Sequence, residues 1–173
     1  MTKKTPEKTV QQAPTDRIME QWQTERPDID NLVMGVCGDI WHASETIRRA
    51  VLENLKRSKL DFPQFDVLMT LRRQGRSSAL SPSQLAGEMM LSTSAMTNRL
   101  DKLEQRGLIV RKATEEDRRC LKISLTDEGF SMVDSLVVTH VETEEKCLAS
   151  LSTEERHLLR SLLQKISLSS QTS

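Results

Sequence analysis

Apolar residues recur at helical spacing through most of the chain, and this pattern predicts a mainly helical protein. The longest apolar stripe runs from about Asp30 to Lys56 and contains Met34, Cys37, Trp41, Ile47, Val51 and Leu55. Before it, DRIMEQWQTER predicts a short helix with Thr15 as its N-cap. After it, PQFDVLMTLRRQ predicts a third helix, with Pro63 in its first turn and Gly75 at its end.

The middle of the chain predicts two short helices, a tight turn between them and a hairpin. Residues Ser81 to Gln84 form a capping box with proline at the first helical position, and the helix they open ends near Met89. Ser92 caps the next helix, TSAMTNRLDKLEQR, which ends at Gly107. LIVR and CLKISLT have strand composition, so the charged loop between them closes a β-hairpin. Together these elements predict a winged helix-turn-helix.

Two further helices complete the predicted fold. Thr126 starts a long sixth helix, and a capping box from Ser152 to Glu155 opens the last one. The expected order is four helices, a recognition-type helix, a hairpin and two helices. The predicted fold class is therefore mainly α with a small β-hairpin wing.

Composition narrows the possible partners. The 25 Lys and Arg balance the 25 Asp and Glu, so binding to nucleic acid must come from local charge asymmetry rather than overall basicity. No run approaches the roughly 18 apolar residues of a membrane span, and no signal peptide opens the chain. We therefore expect a cytoplasmic protein with no membrane partner. The three widely spaced cysteines give neither a disulfide framework nor a zinc pattern.

The helix after Ser92 has two unlike faces when its residues are placed at about 100° each. Its inward side carries Met96, Leu100 and Leu103, and its outward side carries Thr93, Ser94, Thr97, Asn98 and Asp101. The outward groups are short and rich in hydrogen-bonding atoms, which suits entry into the major groove of DNA. A solvated face of an ordinary helix is the alternative. We assign DNA contacts here to Ser92, Thr93, Ser94, Thr97, Asn98 and Lys102.

The hairpin tip concentrates charge of both signs. A short acidic run is surrounded by five basic residues, which are Arg111, Lys112, Arg118, Arg119 and Lys122. An arginine at a hairpin tip suits the narrow, electronegative minor groove, and a neighbouring carboxylate can hold its guanidinium in one orientation. We assign Asp117 as this brace, and Arg118 and Arg119 as groove or phosphate contacts. A solvated charged turn is the alternative.

Arg99 points away from the proposed DNA face. It follows Thr97 by two residues, which turns it by about 200° toward the inward side. An inward arginine needs a carboxylate or an anionic ligand, because an unpaired buried charge is strongly disfavoured. Asp66 is the candidate, since it interrupts the apolar run FDVLMTL. This pair is either purely structural or part of a ligand site.

These segments carry a family resemblance. LSPSQLAGEMMLSTSAMTNRLDKLEQRGLIVR and EEDRRCLKISLTDEG resemble the MarR family of bacterial winged-helix regulators. WQTERPDID and FDVLMTLRRQG are similar to its urate-responsive, PecS- and HucR-like subgroup. The resemblance extends over about residues 16 to 166. It implies a homodimer, formed by the first and last helices, that represses transcription by occupying pseudo-palindromic operators in double-stranded DNA.

The predicted elements, together with the dimer that the resemblance implies, divide the chain. We expect a disordered tail at 1–14, an extra N-terminal helix at 15–28 and a long dimerisation helix at 29–60. The winged helix-turn-helix DNA-binding domain is expected at 61–126, and the C-terminal dimerisation helices at 127–168. Its targets would include its own promoter and a divergent gene for efflux or stress response.

A ligand pocket follows from the resemblance as well. In the urate-responsive subgroup, the residues that match Trp22, Asp66 and Arg99 line the pocket, and the one that matches Arg111 helps to transmit the signal toward DNA. Urate is a planar monoanion near neutral pH. The indole can pack on its ring, the guanidinium can pair with its charge, and the carboxylate can accept a ring N–H. Xanthine or a phenolic compound is the alternative inducer.

Other functions have less support in the sequence. A MarR-type regulator can instead sense oxidants through a thiol, here Cys37 or Cys120, but no resolving partner is evident. A winged helix used only for protein contacts would lack DNA affinity with a steep salt dependence. An enzyme is not expected, because three histidines stand at no metal-ligand spacing and no nucleophile elbow or phosphate-binding glycine loop is present. We expect no cofactor and no metal.

Overall fold

The computed structural model describes residues 14–89, 96–113 and 121–169. Its helices and strands, in chain order, are α1 (Pro14–Glu25), α2 (Asn31–Leu55), α3 (Phe62–Arg73), α4 (Pro82–Glu88), α5 (Met96–Gln105), β1 (Ile109–Ala113), β2 (Leu121–Leu125), α6 (Asp127–Cys147) and α7 (Thr153–Ser169). This order confirms the predicted mainly helical fold with a hairpin wing. None of the described helices is both long enough and apolar enough to cross a membrane.

The chain divides into two compact units, one up to Arg48 and one from Arg49 onward. In the first unit, α1 is fastened to the start of α2 by side-chain hydrogen bonds. The Asn31 amide donates to the carbonyl oxygen of Met19 at 3.1 Å. The hydroxyl of buried Thr15 donates to Asp39. The prediction of Thr15 as an N-cap was therefore wrong: α1 already begins at Pro14, and the hydroxyl serves a tertiary contact instead.

The turn between α1 and α2 is held by a two-pronged ion pair. Both Arg26 nitrogens, Nε and Nη2, donate to the Asp28 carboxylate at 2.7 Å. The guanidinium lowers the pKa of Asp28 below its usual value, and the carboxylate raises the pKa of Arg26. Both side chains are exposed, so solvent screens much of their attraction.

The core of the second unit surrounds α3. Its N-cap Asp61 accepts a hydrogen bond from the backbone N–H of Gln64, whose side chain accepts one in return. Seven of its twelve residues are buried, and the helix packs against α4, α5, α6 and β2. The ring of His140 on α6 meets Phe65 edge-on, with centroids 5.0 Å apart. Helix α3 is therefore a well-packed support for α4, α5 and β2.

The predicted helix-turn-helix and wing are present where the structure describes them. The Ser81 capping box opens α4 as expected. Leu80 exchanges backbone hydrogen bonds with Ile123, at 3.0 and 2.8 Å, and so extends the hairpin by one bridge. The strands pair antiparallel, with Ile109 opposite Leu125 and Ala113 opposite Leu121. The predicted Ser92 cap lies outside the described residues.

The junction from α5 to the wing and on to α6 is a close backbone contact. Gly107 ends α5 in the left-handed region, with φ +69°, which favours glycine. The Leu108 N–H then closes the helix by donating to the Leu103 carbonyl at 3.0 Å. Thr126 caps α6, as predicted. A Cβ on Gly129 would lie only 1.9 Å from the Leu108 carbonyl oxygen, so α6 starts directly against this turn.

The predicted apolar stripe of α2 and an apolar stripe on α7 are both exposed over much of their length. In α2, Val51 and Leu55 are buried at the C-terminal end, whereas Met34 is 40% exposed and Trp41 is 73% exposed. The α7 stripe, which we define as Leu158, Leu159, Leu162, Leu163 and Ile166, is exposed by 38% or more at every position. The Ser152 capping box that opens α7 is present. Helix formation was thus predicted correctly, but the described residues leave much of both stripes exposed.

Candidate DNA-binding and ligand sites

Helix α5 has the two faces that its sequence predicts. Leu100 and Leu103 are buried against the core, at 3% and 0% exposure. Thr97 and Asn98 are exposed on the other side, and Lys102 is exposed one turn later. The other predicted contacts lie outside the described residues and are Ser92, Thr93, Ser94, Asp117, Arg118 and Arg119. Within the described part, α5 therefore presents short polar side chains from a rigidly packed helix.

The C-terminal end of α5 is anchored by Arg106. Its guanidinium donates to the carbonyl oxygens of Ser58 and Lys59, both at 2.8 Å. These carbonyls end the short 3-10 helix that follows α2, where Lys59 is left-handed with φ 53°. Carbonyls at a helix end lack intrahelical partners, so the guanidinium satisfies them. Sequence reasoning missed this residue, because nothing local to an arginine before glycine indicates a partner 47 positions away.

The wing is fastened to α5 by Arg111 of β1. Its Nη2 lies 2.5 Å from Asp101 Oδ1, and its Nε lies 3.4 Å from Glu104 Oε2. The two carboxylates are three residues apart and therefore share one face of the helix. Only 21% of the Arg111 side chain is exposed, so this contact is partly shielded from solvent. We call the three residues the wing clamp.

The wing clamp changes one sequence expectation. Asp101 was placed on the groove-facing side of α5, but its carboxylate is turned to Arg111. The helical wheel could not show this, because it contains no information about β1. It also missed Glu104, which accepts the Arg111 backbone N–H at 3.3 Å. An arginine was expected to transmit a signal here, and the clamp gives it physical contact with both α5 and the wing.

The proposed ligand residues of the second unit lie on adjoining helices. Asp66 is buried in α3 at 6% exposure, and Arg99 is half-buried in α5, which packs against α3. Each has an interaction partner, so neither is a lone buried charge. Their direct pairing stays a prediction.

The remaining candidates are more exposed. Trp22 on α1 of the first unit is 39% exposed. Cys37 is exposed and Cys147 half-buried, and both are free thiols. Cys120 lies outside the described residues. No described feature favours a thiol switch over a ligand.

Comparison with known proteins decides the family. The sequence pattern of the MarR family matches residues 60–121. The HTH-type transcriptional regulator PecS of Dickeya dadantii (strain 3937) is 44% identical over 149 residues, which cover 86% of this chain and 90% of PecS. The chain belongs to the MarR family. It is a transcriptional regulator with a DNA-binding winged helix, and not an enzyme.

Two further similar proteins extend the comparison. The HTH-type transcriptional repressor MdtR of Bacillus subtilis (strain 168) is 32% identical over 111 residues, covering 64% of this chain and 70% of MdtR. A solved structure of BpsR from Bordetella bronchiseptica has a TM-score of 0.68 and 25% identity, and the match covers 76% of this chain and 92% of BpsR. DNA binding by BpsR is regulated by 6-hydroxynicotinic acid.

Proposed function

We propose that this MarR-family regulator is a homodimeric repressor that leaves its operator when a small anion binds, with urate as the first candidate. One observation carries the proposal: α5 exposes Thr97 and Asn98 while its opposite face is buried and both Arg106 and Arg111 fix its position. A helix held in this way presents its polar face at a fixed angle, as recognition in the major groove requires. Repression follows when the bound protein occupies a promoter.

The exposed α7 stripe supports the proposal that two copies of the chain form a dimer. A monomeric protein rarely exposes so many neighbouring leucines and isoleucines, so a surface of this kind points to a protein partner. In a two-fold dimer, two copies of α5 read half-sites whose centres lie about one DNA turn, roughly 10 bp, apart. The operator is therefore proposed to be pseudo-palindromic. The wing residues Asp117, Arg118 and Arg119 would add contacts at each half-site.

Charged side chains on α3 and α5 support the proposal that a ligand releases the protein from DNA. An anion that binds the guanidinium of Arg99 would shift α5. The groove-facing Thr97 and Asn98 would move with it, because they lie on the same helix. Movement of α5 would reach the wing through the clamp at Arg111. Asp66 is proposed to accept a ligand N–H, and Trp22 is proposed by resemblance to pack on the ring. A heteroaromatic acid already regulates DNA binding by BpsR.

A fluorescence titration tests the ligand directly. The chain has two tryptophans and no tyrosine, so Trp41→Phe leaves Trp22 as the sole strong fluorophore. Urate should change the emission of Trp41→Phe, whereas the matched variant Trp22→Phe, which keeps only Trp41, should respond much less. Equal responses from the two variants would place the ligand away from Trp22.

A DNA-release assay tests the coupling. Urate should weaken binding to DNA from upstream of the protein's own gene by about 5- to 150-fold, the usual range for coupled sites. Asp66→Asn and Trp22→Ala should bind DNA normally but lose most of this response. Cys37→Ser should respond as the wild type does, and loss of its response would favour a thiol switch. If Asp66→Asn and Trp22→Ala both release DNA at the wild-type urate concentration, the inducer acts elsewhere.

A further inference from the structure

The stem of the wing places two positive charges against each other. Lys112 of β1 is directly opposite Lys122 of β2 in the antiparallel pairing. Residues in this relation share one face of the hairpin, with Cβ atoms about 5 Å apart. Like charges directly opposite each other destabilise a hairpin. The pair therefore opposes folding unless something else compensates for it.

The described residues do not supply that compensation. Within residues 14–89, 96–113 and 121–169, no carboxylate forms an ion pair with either lysine. The Lys122 ammonium donates to Gln84 Oε1 at 2.9 Å, an oxygen that also accepts the Ser81 N–H at 2.9 Å. A neutral amide orients the ammonium without cancelling its charge. Lys122 is thus held beside the start of α4, facing an exposed Lys112.

The opposite face of the same hairpin shows the contrast. There the cation is Arg111, and Asp101 and Glu104 neutralise it. One face of the stem is thus charge-balanced and tied to α5. The other carries two positive charges on a chain whose 25 basic and 25 acidic side chains cancel overall. This local asymmetry is what a chain with no net charge needs in order to bind a polyanion.

We propose that Lys112 and Lys122 form a phosphate-binding pair that docks the stem of the wing on the DNA backbone, an inference that rests on the proposed DNA-binding function. Lysine suits this role, since its ammonium binds a phosphate as a point charge with three donors. Bound phosphate removes the mutual repulsion of the two ammonium groups. Such contacts fix the register of the protein on the duplex and carry no sequence information. The pair would thus position the wing rather than select the operator.

The test is a salt titration of DNA affinity in the full chain. The probes are a mixed-sequence duplex and DNA from upstream of the protein's own gene. Lys112→Gln should make the slope of log affinity against log salt less steep by about 0.9 per protomer, or about 1.8 for the proposed dimer, so its disadvantage relative to wild type shrinks about 12-fold between 50 and 200 mM salt. Both duplexes should be affected equally. Lys146→Gln removes the same charge from α6 and should leave the slope at the wild-type value.

A stability measurement separates this role from a structural one. Because the substitution relieves a repulsion, Lys112→Gln should melt at the wild-type temperature or higher. A lower melting temperature, or an unchanged salt slope, overturns the proposal. So does a loss of affinity that is confined to the upstream DNA. If the wild type itself binds neither duplex, the proposed DNA-binding function fails. If the wild type binds DNA and Lys112→Gln binds it with the same salt slope, only the phosphate-binding pair fails.

Discussion

Helices α3 and α7 have similar apolar patterns and opposite surroundings. In α3, Leu68 is completely buried, whereas in α7 Leu162 is 46% exposed. Helix α3 packs against α4, α5, α6 and β2, while α7 packs closely against none of the other described elements of its unit. Periodicity predicts that a helix has a face to bury, but not which chain will cover it. The difference teaches that α3 completes the fold of one chain, whereas α7 keeps an apolar face that the proposed dimer would cover.

Helix α5 adds a third case to this comparison. It buries Leu100 and Leu103 as α3 buries its leucines, yet its exposed face is polar rather than apolar. An exposed apolar face suits a protein partner, and an exposed face of hydroxyl and amide groups suits the edges of bases. The two exposed faces therefore point to different classes of partner.

The largest expected effect comes from breaking the α7 face. At about 100° per residue, the α7 stripe lies within an arc of about 140°, and Gln164 falls on the far side. Leu162→Asp should give a monomer in sedimentation experiments. DNA affinity should fall by about 100-fold or more, because one protomer loses the advantage of two linked half-sites. Gln164→Asp adds the same charge and should remain dimeric. A dimer that survives Leu162→Asp would assign the α7 stripe another role.

Breaking the α3 side should instead damage the fold. Leu68→Ala removes a fully buried side chain and should lower the free energy of unfolding by about 2 to 5 kcal/mol, measured by urea denaturation. The same change at exposed Leu168 of α7 is the matched control and should cost much less. Equal losses at the two positions would remove the distinction between the helices.

The wing clamp should show a smaller, graded effect. Arg111 is 2.5 Å from Asp101 but 3.4 Å from Glu104. We expect Asp101→Asn to lower the free energy of unfolding by about 1 kcal/mol and Glu104→Gln by less, since both carboxylates are partly exposed and screened. DNA affinity should follow the same order, as measured by titration of labelled duplex. A larger effect at Glu104 would contradict this ranking.

The smallest expected effect is a gain in stability from a substitution within α3. Thr70 is fully buried, and its hydroxyl has no hydrogen-bond partner in the part of the chain that the structure describes. Thr70→Val keeps the branched shape and removes an unsatisfied polar group, so the free energy of unfolding should rise by about 1 kcal/mol. A higher urea midpoint would confirm this. A lower midpoint would mean that the hydroxyl is bonded in solution.

Local signals made most of the fold predictable from sequence. The capping box at Ser81, the cap at Thr126 and the helix-ending Gly107 each depend on residues within a few positions. Thr15 was misassigned because its hydroxyl serves Asp39, a partner 24 residues away. A cap that competes with a tertiary hydrogen bond cannot be recognised from its neighbours alone.

The candidate sites were only partly predictable for the same reason. The polar face of α5 follows from its helical period, so Thr97 and Asn98 were placed correctly on the exposed side. The wing clamp and the Arg106 anchor join residues of different elements, which a helical wheel does not contain. The opposition of Lys112 and Lys122 depends on strand register, and a one-residue slip would have sent them to different neighbours.

The contact between Gly129 and the Leu108 carbonyl has a consequence for how this sequence can diverge. Any side chain at position 129 would collide with backbone, which cannot rotate out of the way as a side chain does. Gly87 on α4 has nothing within 4 Å of the place where its Cβ would stand. Among descendants of a common ancestor, position 87 should drift freely, while position 129 should stay glycine for as long as α6 begins where it does.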